Sequence, residues 1–264
     1  MTPTTQVGPL EASLRARRDA GHKLLAPYVT GGLTDDWTEV LRAVAAAGAD
    51  AIEVGIPFSD PVMDGPTIQE ASATALARGV TPPSILHDLT GVDAGVPLVA
   101  MTYYNLAYRM GELRFARSLA AAGVAGAILP DLPLDESAGW EAEAAAAGIE
   151  TVLLAAPVTS DDRLGEIAAR SRGFVYGVSL MGITGERAEV ASSAAVMAKR
   201  LKAVTDKPVL IGFGVSTPRQ AVEVCAEADG VIVASALIRT LLAGGGPEAA
   251  ADFVGGLREA LDRG

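Results

Sequence analysis

Two acids stand closest to a chemistry. Glu53 sits inside the apolar run Ala51-Ile52-Glu53-Val54-Gly55-Ile56, and Asp64 sits in the Pro/Gly/Asp loop Ser59–Pro66 that follows. A run of this type reads as a strand, and side chains of a strand alternate between its faces. Ile52, Val54 and Ile56 share one face, so Glu53 points the other way with Ala51 and Gly55. A buried carboxyl without a partner costs several kcal/mol or takes up a proton. A raised pKa lets such a group accept and return a proton near neutrality. The bland alternative is a structural ion pair, but the interior faces of the other strands offer almost no Lys or Arg. Asp64 precedes Gly65-Pro66 and a helix starting near Thr67; acids there are often solvated or cap the helix. Asp60 in the same loop can hydrogen-bond its own backbone.

Other segments add binding groups. Gly212-Phe213-Gly214 and Ala234-Ser235 each end a late strand. Glycine lets backbone N–H groups approach an anion closely, and a helix N-terminus supplies further donors. The alternative is a pair of ordinary tight turns. Leu180–Arg187 is long and Gly-punctuated, either a lid or a plain connection. Cys225 is the only cysteine, so no disulfide forms within the chain, and a reducing, cytoplasmic compartment fits. His22 and His87 have no ligand-spaced partner, so no metal site is expected.

These residues need a scaffold. Short Val/Ile/Leu-rich runs alternate with Ala-rich helical periods along the 264 residues. Strands are predicted at Leu24–Thr30, Ala51–Ile56, Pro97–Tyr103, Gly126–Pro130, Glu150–Ala156, Phe174–Ser179, Pro208–Gly212 and Gly230–Ala234. Helices follow at Trp37–Ala47, Thr67–Arg78, Leu113–Ala122, Ser137–Ala147, Arg163–Arg170, Ala194–Val204, Pro218–Glu227 and from Pro247 to Leu261. An extra helix, Glu11–Asp19, precedes them, Pro83–Leu89 forms another, and residues 1–8 are expected to fray. Eight strand–helix units predict an α/β fold, a single-domain (β/α)8 TIM barrel over 1–264 with an extra N-terminal helix. The competitor is a doubly wound open sheet, but Tyr28-Val29-Thr30-Gly31-Gly32-Leu33 lacks the usual glycine fingerprint after the first strand. In a barrel, the loops after strands seven and eight form the recurrent phosphate site.

A net charge of −11, from 21 basic and 32 acidic residues, argues against a nucleic-acid partner. It does not exclude a small anion bound by backbone N–H groups. The N-terminus lacks the basic-then-apolar order of a secretory signal. No apolar run reaches the roughly 20 residues of a membrane helix.

At these residues the chain resembles the tryptophan synthase α-subunit family. The matching strings are Pro27–Gly32, Glu53–Pro61 with Asp64–Gln69, Met101–Asn105, Pro130–Pro133, Gly182–Gly185 and Gly212–Gly214. They occur in family order over nearly the whole chain, and the string around Glu53 is the most specific. The resemblance implies cleavage of indole-3-glycerol phosphate to indole and glyceraldehyde 3-phosphate. It implies Glu53 as the acid–base residue and Asp64 as acceptor of the indole N–H, with Thr184 holding Asp64 when the lid closes. It implies Tyr28 and Tyr176 in the substrate site and Met101 and Ile128 in a slot for the indole. It implies Gly185, Phe213, Gly214, Ala234 and Ser235 around the phosphate, with Ala234 standing where relatives often have Gly. It also implies a β-subunit partner in an α2β2 complex, docking on Pro57–Val62, Tyr104-Asn105 and Asp131–Pro133. Pyridoxal phosphate belongs to that partner, and no cofactor is expected in this chain. A stand-alone lyase releasing free indole is the alternative. A non-catalytic activator has no use for an interior carboxylate. An indole-glycerol phosphate synthase would need a catalytic lysine on an inner strand, and none is found there.

Overall fold

The computed structural model describes residues 7–178, 187–212 and 214–264, with side chains for all of these except 187–192. Eight parallel strands close on themselves in sequence order: β1 (Leu24–Thr30), β2 (Ile52–Gly55), β3 (Leu98–Met101), β4 (Val124–Ile128), β5 (Glu150–Ala155), β6 (Val175–Val178), β7 (Val209–Gly212) and β8 (Gly230–Val233), with β8 pairing β1. The expected barrel is therefore the observed one. The helices are α1 (Pro9–Asp19), α2 (Trp37–Ala46), α3 (Pro66–Ala77), α4 (Pro82–Leu89), α5 (Tyr104–Met110), α6 (Glu112–Ala121), α7 (Ala138–Ala146), α8 (Asp161–Arg170), α9 (Arg187–Lys202), α10 (Pro218–Cys225), α11 (Ser235–Leu242) and α12 (Pro247–Arg263).

The strand alternation divides the core in two. Outward residues such as Leu25, Val29, Ile52, Val54, Val209 and Ile211 pack with the helices. Inward residues, among them Leu24, Ala26, Ala51, Val99, Val152, Leu210 and Ile232, fill the barrel. Helix α1 closes the N-terminal end by inserting Leu10 and Leu14 into this inner cluster. Glu150 fixes it there: its carboxylate accepts hydrogen bonds from the Leu10 and Glu11 backbone N–H groups at 2.7 and 3.1 Å. These are free N–H groups of a helix start, the donors an anion satisfies best. The same floor holds Asp50, which accepts from Leu25 N at 2.9 Å and from Arg17 Nε at 2.8 Å, and Asp229, which accepts from Val209 N at 2.9 Å.

Three expectations are corrected. The last strand is followed by two helices, because Gly244-Gly245-Gly246 separates α11 from α12; the sequence reading had only the second. A further short helix, α5, follows β3. Strand β4 begins at Val124 rather than Gly126, since a bulge between Leu98 and Val99 lets Val124 pair with Leu98 while Gly126 pairs with Val99.

Candidate active site

The C-terminal ends of the strands open on a cavity of about 650 Å³. Glu53 lies in it, on β2, beside its register partner Tyr28 on β1. The glutamate is 1% exposed, and its Oε1 has no hydrogen-bond partner among the described residues. Among the described residues no cation pairs with it, which argues against the ion-pair alternative. Burial alone pushes its pKa up to about 8. The carboxyl is therefore mostly protonated at neutral pH, yet within reach of ionisation.

Two tyrosines flank it. A Cβ on Gly55 would stand 1.8 Å from the Tyr28 hydroxyl, and one on Gly212 would stand 2.1 Å from that of Tyr176. Glycine at these two inner-face positions leaves the room the phenols occupy. Burial raises the pKa of both phenols, and the nearby Glu53 and Asp64 raise them further. Both stay protonated and available as donors.

Asp64 reaches the cavity from the β2–α3 loop. Burial pushes its pKa up to about 6, and a hydrogen bond with the Tyr103 hydroxyl opposes that rise. The same hydroxyl accepts from Met63 N at 2.8 Å, and the Tyr103 ring stacks on Phe58 at 5.0 Å. Gln69 Nε2 donates to the Asp64 carbonyl at 2.8 Å. Tyr103 and Gln69 thus hold the loop that presents the acid. Asp60 is held within the loop, its carboxylate accepting from the Ser59 hydroxyl and its carbonyl from Val62 N at 2.9 Å, and it is not on the cavity wall. At neutral pH the two acids differ: Asp64 is mostly anionic and Glu53 mostly neutral. Environments that push two carboxyl groups apart in this way define an acid and a charge stabiliser.

Across the cavity lie Gly214, Ala234 and Ser235. Ser235 opens α11, whose start has no side-chain cap, so its first N–H groups remain free to meet an anion. Gly214 has φ +56°, a left-handed conformation that glycine takes readily. Ala234 has φ −117°, so a residue with a Cβ is not strained there. Arg239, one turn into α11, is the only basic side chain on the described wall.

Of the residues read from sequence, Glu53, Asp64, Tyr28, Met101, Tyr176, Gly214, Ala234 and Ser235 share this cavity. Ile128 does not: it is fully buried in the inner cluster, and Pro130, two residues on along the same face, reaches the wall instead. Thr184, Gly185 and Phe213, with most of the 180–187 segment, lie outside the described residues. Tyr103 and Arg239 were missed. Tyr103 follows directly on the C-terminal end of a barrel strand, the usual place for site residues. Arg239 becomes legible only once α11 is recognised. No group of three metal-ligand side chains occurs among the described residues, and none of their helices is long and apolar enough to cross a membrane.

A family model described as tryptophan synthase alpha chain matches residues 14–253. The tryptophan synthase alpha chain of Streptomyces avermitilis is 45% identical over 237 residues, covering 88% of this chain and 86% of the relative. That of a Picosynechococcus species is 43% identical over 255 residues, covering 94% and 97%. Among solved structures, tryptophan synthase from M. tuberculosis superposes with TM-score 0.89 at 38% identity, covering 97% of this chain and 99% of that one. The alpha chain from Legionella pneumophila gives 0.87 at 30%, covering 98% of each. Barrel, paired acids and sequence agree: the chain belongs to the tryptophan synthase alpha chain family, lyases that cleave indole-3-glycerol phosphate.

Proposed function

We propose that the cavity performs this cleavage by moving one proton through Glu53. The neutral Glu53 carboxyl donates to indole C3, making the ring a leaving group. The resulting carboxylate removes the proton of the side-chain hydroxyl beside the breaking bond. The C3–C1′ electron pair returns to the indole ring, and the hydroxyl carbon becomes the aldehyde of glyceraldehyde 3-phosphate. Glu53 ends protonated as it began, so the step needs no external acid, base or oxidant. Asp64, anionic at neutral pH, accepts from the indole N–H while positive charge builds on the ring. Met101 and Pro130 give the indole an apolar wall, and the phosphate sits at Gly214, Ala234 and the N-terminus of α11.

The observation that carries the reading is a buried carboxyl, unpaired on Oε1 and with pKa near 8, at the head of a cavity that has helix N–H groups opposite. Its test is indole release from indole-3-glycerol phosphate by the purified chain. Glu53→Gln should lower turnover at least about a hundredfold; near-wild-type turnover refutes the assignment.

The rim fits a β-subunit partner. Val62 and Met63 are exposed apolar residues on the β2–α3 loop. The Met63 N–H bonds Tyr103, and Asp131 Oδ1 accepts from Tyr104 N at 2.8 Å, so the β2, β3 and β4 loops make one linked surface. Pyridoxal phosphate would act in that partner, since the α cleavage as written needs only Glu53's proton transfers and return of the C3–C1′ electron pair to the indole ring. Adding a β subunit to the indole assay tests the interface: turnover should rise, and an unchanged rate with no complex by sedimentation rejects it.

A further inference from the structure

We infer that Thr30 is a positioning residue for the cleavage: its buried hydroxyl holds the Tyr28 phenol where the phenol donates to the carboxylate that Glu53 becomes after protonating indole C3; this rests on the lyase reading above. The fold leaves the Thr30 hydroxyl otherwise unused. Thr30 is fully buried at the last position of β1, and its Oγ1 has no hydrogen-bond partner among the described residues. An unbonded hydroxyl inside a barrel costs stability that valine, of the same shape, would not. Thr30 is not on the cavity wall, so its hydroxyl acts on substrate through a neighbour.

That neighbour is Tyr28, two residues back on the same face of β1. Thr30 pairs in register with Gly55, and a Cβ on Gly55 would stand 1.8 Å from the Tyr28 hydroxyl. The phenol therefore ends beside Thr30, in the space that Gly55 leaves. Burial raises the phenol's pKa, and the Thr30 hydroxyl opposes that rise, as a donor to the phenol oxygen does. With Thr30 donating to its oxygen, the phenol keeps its own hydrogen for another acceptor. Around Glu53 the cavity's titratable groups are Tyr28 on β1, Tyr176 on β6, Asp64 on the β2–α3 loop and Arg239 on α11. Asp64 already has the Tyr103 hydroxyl, and β6 lies across the barrel from β2. Tyr28 is the register partner of Glu53 on the adjacent strand. In the proposed cleavage Glu53 alone changes charge, from neutral to anionic as C3 gains its proton. The neutral acid's Oε1 has no partner, so the phenol's bond is made to the carboxylate. A contact made only after the charge appears lowers the barrier and leaves substrate binding unchanged.

The experiment follows indole release from indole-3-glycerol phosphate across pH, with melting curves, for variants of the full chain. Thr30→Val should lower kcat about fivefold while KM stays within about twofold. The alkaline limb of its pH profile should move up by about half a unit, because a carboxylate that loses a donor holds its proton more tightly. Its Tm should not fall, since the unbonded hydroxyl is gone and the shape is kept. Thr30→Ser, which restores the hydroxyl, should recover most of the loss. Tyr28→Phe should reproduce the loss, and adding Thr30→Val to it should change kcat by less than about twofold. Adding Thr30→Val to Tyr176→Phe should still lower kcat about fivefold. An unchanged kcat in Thr30→Val, or full additivity with Tyr28→Phe, overturns the inference and leaves the lyase reading intact. A lower kcat with a lower Tm and an unmoved alkaline limb also overturns it, by showing a structural role. A wild-type chain that releases no indole overturns the lyase reading and this inference together.

Discussion

Replacing Glu53 by glutamine should make the protein's stability less sensitive to pH, in a direction fixed by the site. The native carboxyl titrates at about 8, and the unfolded one near 4.5. Between those values the native state keeps a proton that the unfolded state has lost. The unfolded state binds fewer protons, so stability falls as pH rises, by about 1.4 kcal/mol per pH unit. From pH 5.5 to 7.5 the wild type should lose about 2–3 kcal/mol on this account. Glutamine does not ionise and incurs no such loss. For a domain of this size each kcal/mol corresponds to about 2–4 °C in Tm. Over that interval the variant should gain roughly 5–10 °C on the wild type. Asp64, raised to about 6, acts in both proteins and largely cancels. Melting curves at pH 5.5, 6.5 and 7.5 supply the comparison. Curves that stay parallel would mean Glu53 ionises normally in the folded chain, and the proton-donor role would fall with that.

Four further outcomes are expected. The kcat/KM profile for indole release should be bell-shaped, with an acid limb near 6 from Asp64 and an alkaline limb near 8 from Glu53; Asp64→Asn should cut turnover at least about tenfold and abolish the acid limb. Tyr103→Phe removes the hydrogen bond that lowers the Asp64 pKa, so the acid limb should move to higher pH, and a limb that stays or moves down contradicts the contact. Gly212→Ala puts a methyl group 2.1 Å from the Tyr176 hydroxyl and should cost about 1–3 kcal/mol with most of the activity, whereas Gly65→Ala, with nothing within 4 Å, should fold as the wild type does. Glu150→Ala leaves the first N–H groups of α1 without their acceptor, and urea unfolding should show a loss of about 1–2 kcal/mol.

Much of this was legible in the sequence because period and polarity act locally. The first strand matched Leu24–Thr30 at both ends, since Lys23 and the Gly31-Gly32 turn bound an apolar run. The inward direction of Glu53 followed from its branched neighbours, and Ile52, Val54 and Ile56 do pack outward. What failed was depth. Alternation separates inner from outer residues but not the barrel's middle from its mouth, so Ile128 was placed on the wall that Pro130 occupies. Helix α11 was missed because it is short and lacks a side-chain cap. Arg239 was lost with it. Tyr103 escaped notice because its role is a contact with a loop forty residues earlier, which no local pattern reports.

The most direct measurement is a carboxyl-carbon NMR titration of the protein with labelled glutamate, with Glu53→Gln used to assign the resonance. A Glu53 midpoint near 8 is expected. A midpoint near 4.5 would contradict the claim that this buried acid carries the proton at neutral pH.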